Sequence, residues 1–202
     1  GPVRSELSLL AALAPLLSTN LRAQVSPHIT VTDASLQGAA AVRFTAPAHV
    51  ARELWRRRLG PGRYGPLDCD IGYRRGDSWV SELCEGAPVR EFARFRFRAQ
   101  PPSINVGEAR ADRAAIRLLA ADPSEHEQRH NFVKDSRVVL AARAKGRARG
   151  RLLREFQLSY PHLLAADIYP GQQWNDSERN NADPGTRAGG LPVPAPRRLW
   201  AS

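Results

Sequence analysis

The stretch from His28 to Phe44, HITVTDASLQGAAAVRF, constrains the fold most, because it holds two apolar runs joined by only a few residues. Ile29 and Val31 alternate with His28, Thr30 and Thr32, and after Ser35-Leu36-Gln37-Gly38 a second run extends from Ala39 to Phe44. Alternation with period two and a short connection predict a β-hairpin or bulged strand pair. The first run stops being apolar at Asp33, and the small residues Ala34 and Ser35 that follow let a phosphate approach its carboxylate. An Asp before a turn also caps its own backbone, and for Asp33 taken alone that is the commoner role.

Further along, Pro47 to Leu59 carries Val50, Leu54 and Leu59 on one side and Trp55 among arginines on the other, which predicts an amphipathic helix. A short element is expected around Trp79 to Leu83. Arg90 to Arg98, REFARFRFR, alternates Phe95 and Phe97 with arginines, as a strand with one core face and one basic face does. Ser103 to Ala121 is the strongest helix, with Asn105 as its cap and Ala111, Ala115, Leu118 and Leu119 as its apolar side. His130 to Val133 predicts a short strand ending at Lys134-Asp135, with a helix from Ser136. A second helix is expected from about Leu152 to Leu158, a final strand over Leu163 to Ile168, and a turn of helix over Asn181 to Arg187. Strands alternating with helices imply an α/β fold with a mixed sheet flanked by helices.

Ser5 to Leu17 has leucines at helical spacing until Pro15, and reads as a lead-in helix docked on the domain. The expected organisation is a lead-in over 1–26, a domain over 27–190 and a Pro-rich tail over 191–202. The chain lacks Met and begins Gly1-Pro2, as a processed or excised piece does.

Formal net charge is +10 and all but two of the 30 basic residues are arginine, the exceptions being Lys134 and Lys145. A polyanion such as nucleic acid suits that balance, although a GC-rich genome would also produce it. No apolar run approaches the ~18 residues of a membrane span, so no membrane partner is expected. Cys69 and Cys84 are too few for a disulfide framework or a zinc site and fit a reducing, intracellular setting, cytoplasm or nucleus. His49, His126, His130 and His162 lack metal-ligand spacing, and there is no glycine-rich phosphate loop or nucleophile elbow, so no small-molecule cofactor is expected.

Four acids occupy comparable positions: Asp33 on the first strand, Glu108 early in the long helix, Asp135 at the end of the fourth strand, and Asp183 at the start of the last helix. In an α/β architecture the ends of the first and fourth strands can be neighbours, and packed helices can aim acids at the same spot. Clustered carboxylates repel unless a cation neutralises them. Oxygen-only ligands select magnesium, or manganese in its place, and two such ions roughly 3.5–4 Å apart would clamp a phosphodiester.

At this point the chain resembles the ribonuclease H domain of retroelement reverse transcriptases, most like the DIRS-like group. The resemblance rests on TDAS at Thr32 to Ser35, INVGEARA at Ile104 to Ala111, VKDSRVV at Val133 to Val139, KGRARGRLL at Lys145 to Leu153 and ERNNADPGTR at Glu178 to Arg187, all in family order. It implies a ribonuclease H-like fold with a mixed five-stranded sheet. It also implies metal-dependent hydrolysis of the RNA strand of RNA/DNA hybrids, and a polymerase domain upstream. Asp33, Glu108, Asp135 and Asp183 then correspond to the family's metal-coordinating carboxylates, and Asn105 to a residue touching the minor groove of the hybrid. The chain departs from the family in its long interval between Asp33 and Glu108, which implies an insertion over about 47–88. It also has Ser177, Glu178 and Arg179 where bacterial-type members carry a His, and Asn180-Asn181-Ala182-Asp183 where many relatives have Asn-Pro-Ala-Asp.

A nuclease that cuts RNA and spares DNA must contact the 2′-hydroxyl, which both donates and accepts; Ser35, Gln37, Asn105 and Ser136 are the candidates. Arg143, Arg147, Arg149, Arg151 and Arg154 are expected to track a phosphate backbone, or else to form a solvated face. Two other readings stay open: a catalytically silent nucleic-acid-binding module of the same fold, and a structure-selective DNA nuclease of the same superfamily.

Overall fold

A computed structural model describes residues 2–14, 18–60 and 78–187. In chain order the elements are α1 (Pro2–Leu13), β1 (Gln24–Ala34), β2 (Gly38–Thr45), α2 (Ala48–Arg57), α3 (Ser78–Glu85), β3 (Arg90–Arg96), α4 (Ile104–Ala120), β4 (Gln128–Lys134), α5 (Arg137–Lys145), α6 (Gly150–Gln157), α7 (Tyr160–Ala165), β5 (Tyr169–Trp174) and α8 (Asp183–Arg187). The strands form one mixed sheet in the order β3-β2-β1-β4-β5. β3, β2 and β1 are antiparallel neighbours, whereas β1, β4 and β5 run parallel. The expected mixed five-stranded sheet flanked by helices is what the chain forms.

β1 is central because both of its faces can be buried. Ile29 and Val31 pack with Val42, Phe44, Leu54, Val80, Cys84 and Val133 on the side of α2 and α3. On the opposite side α4 lays Ala115, Ile116 and Leu119 over Ala41, Phe132 and Ile168. Each large apolar side chain buried this way contributes roughly 1.5–3 kcal/mol. Residues 47–88, expected as an insertion of underived role, thus supply through α2 and α3 the cover for one sheet face. Residues 61–77, with Cys69, lie outside the described residues, as does the tail expected over 191–202. Burial pushes the Cys84 thiol up to about 12, so it stays protonated, as a core residue does.

The alanine run of β2 decides how closely helices approach the end of β1. A Cβ on Gly185 of α8 would lie 2.8 Å from that of Ala40, so α8 can seat there only because both residues are small. On the other face Ala39 meets Ala34 and Ala111 of α4.

Four local expectations are corrected. The final strand is not Leu163–Ile168: that segment falls partly in α7, and the strand is Tyr169–Trp174. Its sequence, YPGQQW, has no apolar alternation, because its burial comes from packing under α2. A Cβ on Gly171 would lie 2.6 Å from the Trp55 ring, and Gln173 Nε2 donates to Leu54 O at 2.5 Å. Pro170 is tolerated because β5 is an edge strand. Among the described residues the lead-in helix shows no docked face: Leu7, Leu9 and Leu10 of α1 are all more than half exposed, while the side chains of Leu13 and Leu17 lie outside the described residues. Asn105 is not the α4 cap; Ser103 holds that position, and the Asn105 side chain bonds elsewhere. Arg143 neither tracks a phosphate backbone nor lies on a solvated face: it is buried, as described below.

Candidate metal centre

β1 and β4 are parallel neighbours whose register sets Val31 beside Val133, so two residues further on Asp33 and Asp135 leave the sheet side by side. Asp33 shares the parity of Ile29 and Val31, and Glu108 comes over from the opposite layer on the second turn of α4. Asp33, Glu108 and Asp135 each place a carboxylate oxygen within 4.8 Å of the others.

Each acid is held by a different neighbour. Ala34 N–H donates to Glu108 Oε1 at 3.2 Å, while Glu108 Oε2 is buried with no hydrogen-bond partner among the described residues. Thr186 Oγ1 of α8 lies 3.0 Å from Asp33 Oδ2 and donates to it. The Asn180 amide, whose Nδ2 donates to Thr32 O at 3.4 Å and whose Oδ1 accepts from Ala182 N–H, stands beside Asp135 and partly offsets the rise of its carboxyl. Asp183 stands outside the trio, with Oδ1 2.8 Å from Arg187 Nε, yet its charge helps raise both Asp33 and Asp135.

Burial and mutual repulsion dominate the electrostatics. Desolvation, then the charges of Asp33 and Asp135, push Glu108 up to about 9. Desolvation, then Asp135, push Asp33 up to about 6 despite the Thr186 bond. Asp135 is raised chiefly by desolvation. An all-oxygen donor set with an orphaned buried carboxylate oxygen fits a hard divalent cation.

The raised values set the sign of a pH dependence. Between the ordinary carboxylate range and the shifted values the folded chain binds protons that the unfolded chain does not, so stability falls as pH rises. With chelator present, the melting temperature of the wild type relative to Glu108→Gln should therefore drop from about pH 5 to about pH 9, a difference in which the opposite contribution of the depressed His28, His130 and His162 cancels, and a divalent cation should raise the wild type far more at the alkaline end. A flat or rising difference between wild type and Glu108→Gln in a chelated thermal-shift titration would contradict the assembled trio.

Sequence reasoning missed the support beneath the site. Asp112, one turn beyond Glu108, and Lys134, directly before Asp135, are fully buried, with Lys134 Nζ 2.5 Å from Asp112 Oδ1. Arg143 of α5 completes the network, with Nη2 2.6 Å from Asp112 Oδ2 and Nη1 donating to Ser159 Oγ at 2.8 Å. Burial alone would raise Asp112, but Lys134 and Arg143 hold it below the usual carboxylate range. The available signal was a charged residue inside the apolar stripe of α4.

The other candidates are placed unequally. Asn105 and Ser136 line a cleft of about 250 Å³ with Glu108, Asp135 and Arg137. Ser136 Oγ donates to Asn105 Oδ1 at 3.3 Å and caps α5 through Val139 N–H. The Ser35 hydroxyl is committed to the β1–β2 turn, accepting from Gln37 and Gly38 N–H and lying 3.3 Å from Thr186 O. Gln37 is exposed in that turn. Arg147, Arg149, Arg151 and Arg154 are exposed around the α5–α6 connection and the α6 helix, outside the cleft lining.

No protein-family model matches the sequence, and no curated protein matches it. Among solved structures the chain is similar to ribonuclease H1 of the halophilic archaeon Halobacterium salinarum NRC-1, at 14% identity and TM-score 0.40, covering 78% of this chain and 92% of that one. It is also similar to the N-terminal RNase H domain of a Mycobacterium tuberculosis protein solved as a fusion with maltose-binding protein, at 11% identity and TM-score 0.38, again over 78% of this chain and 92% of that one.

Proposed function

We propose that this chain is a metal-dependent endonuclease of the ribonuclease H type, hydrolysing the RNA strand of RNA/DNA hybrids. The observation that carries the reading is the convergence of Asp33, Glu108 and Asp135 from three elements within 4.8 Å. Magnesium, with manganese as substitute, held as two ions by these three acids and Asp183, would supply an activated water and charge stabilisation at the leaving oxygen.

The chain's own groups do the holding and positioning. Ala34 N–H and the Thr186 hydroxyl each bind one oxygen, of Glu108 and Asp33 respectively, which leaves the second oxygen of each for a cation. Asn180 ties the approach to α8 to the end of β1 through Thr32 O, next to Asp33. In the adjoining cleft the Asn105 amide and Ser136 hydroxyl offer a donor and an acceptor to a ribose 2′-hydroxyl, with Gln37 at the neighbouring turn. Ser35 serves the same strand by shaping the turn that follows Asp33. Exposed Arg147, Arg149 and Arg151 are assigned to phosphate contacts, which makes binding salt-dependent.

The five matching segments support a place in a DIRS-like retroelement reverse transcriptase, with a polymerase domain as the upstream partner and the cytoplasm or nucleus as the compartment. The test is cleavage of a labelled RNA/DNA hybrid, a DNA duplex and an RNA duplex, each with magnesium and with chelator. Cutting of the hybrid alone, and only with magnesium, is expected; cutting of the DNA duplex, or of the hybrid in chelator, overturns the reading.

A further inference from the structure

Beside the metal centre lies a larger depression, an open groove of about 700 Å³ lined by Leu36, Gln37, Arg96, Phe97, Arg98 and Gln100. It forms where the β1–β2 turn meets the segment leaving β3, with Phe97 N–H donating to Gln37 O at 2.9 Å. Groove and carboxylates share a wall. A Cβ on Gly107, the residue before Glu108, would lie 3.4 Å from the Ala34 Cβ and 3.5 Å from the Phe97 ring.

Two features of the lining define what it fits. Leu36 is 48% exposed and Phe97 half-buried, so aliphatic and aromatic surface faces solvent beside the acids. Arg96 and Arg98 are exposed, and neither guanidinium has an ion-pair or hydrogen-bond partner among the described residues, whereas Arg43, Arg110, Arg113 and Arg143 are each paired with a carboxylate. A duplex turns phosphates outward and hides its base faces in the stack, so it would satisfy the arginines and waste the apolar strip. An unpaired strand offers phosphates to the guanidiniums and base faces to Phe97 and Leu36.

We propose that this groove binds a single nucleic-acid strand, the unpaired extension of a substrate whose duplex part lies at the carboxylates. The proposal rests on the nuclease reading for the duplex, but not on the chemistry of cleavage. The test is fluorescence anisotropy in chelator with a blunt RNA/DNA hybrid, the same hybrid carrying an extension of about four nucleotides, and the unpaired strand alone. The extension should tighten wild-type binding roughly tenfold. The double variant Arg96→Ala/Arg98→Ala and, separately, Leu36→Ala should remove that gain without shifting the melting temperature, since all three side chains are exposed. For the extended probe the double variant should also lower the salt slope by about 1.4. No gain in the wild type, or a gain that survives in both variants, overturns the groove. Should the wild type bind no hybrid at all, the nuclease reading fails instead. The unpaired strand then decides the groove: affinity lost in the variants supports it, and affinity kept refutes it.

Discussion

Asp33→Asn and Asp135→Asn should each lower hybrid cleavage by roughly 10³-fold or more while the protein stays folded. Each change is isosteric and removes one charge from a site whose function, on the proposed reading, is to present charge to a cation. Folding should not suffer, because in the metal-free chain these charges oppose burial. Desolvation and neighbouring acids push Asp33 up to about 6, and desolvation raises Asp135. Asn at position 33 still accepts from Thr186, so the contact between α8 and β1 survives. The metal-free variants should consequently melt at or above the wild-type temperature at alkaline pH. Single-turnover cleavage and thermal melts on the same preparations check both halves. Cutting within about tenfold of wild type in both variants would remove the carboxylates from the mechanism.

Asp112→Ala should destabilise the fold by about 3–5 kcal/mol, because it leaves two buried cations without their shared anion. Lys134 and Asp112 are wholly buried and Arg143 is 8% exposed, so water cannot replace the lost carboxylate. For a domain of this size that is a fall in melting temperature of roughly 10 °C. Replacing the whole network by Asp112→Leu, Lys134→Met and Arg143→Met should restore most of the loss, since desolvation then no longer opposes folding. The network also ties α4, which carries Glu108, to the end of β4, which carries Asp135. Asp112→Ala should therefore blunt the stabilisation by divalent cations at alkaline pH as well. Urea unfolding with and without magnesium measures both effects, and a loss under about 1 kcal/mol would mean that the triad is not the strut between these elements.

Much of this was legible where a pattern depends only on near neighbours in the chain. Ile29 and Val31 marked β1 through alternation, Phe95 marked β3, which ends at Arg96 and short of Phe97, and the apolar side of α4 located Glu108 in its second turn. β5 was misplaced because Gly171, Gln172 and Gln173 carry no alternation; their burial depends on Trp55 and Leu54, more than a hundred residues away. Arg143 and Arg147 look alike in sequence, yet one is neutralised inside the fold by Asp112 and the other is exposed. The leucines of α1 have the right spacing to dock, and no described element offers them a face.

The sequence by itself determined which residues carry charge, which runs could be strands or helices, and that Asp33, Glu108, Asp135 and Asp183 sit at element ends or helix starts, because short-range sterics and periodicity set those properties. Only the tertiary structure decided which acids meet. The parallel register of Val31 with Val133 and the close approach of α4 over Ala34 and Ala39 bring three together, while Arg187 pairs with the fourth. Those are long-range outcomes of packing, since the distance between two carboxylates depends on how layers stack and not on their separation along the chain.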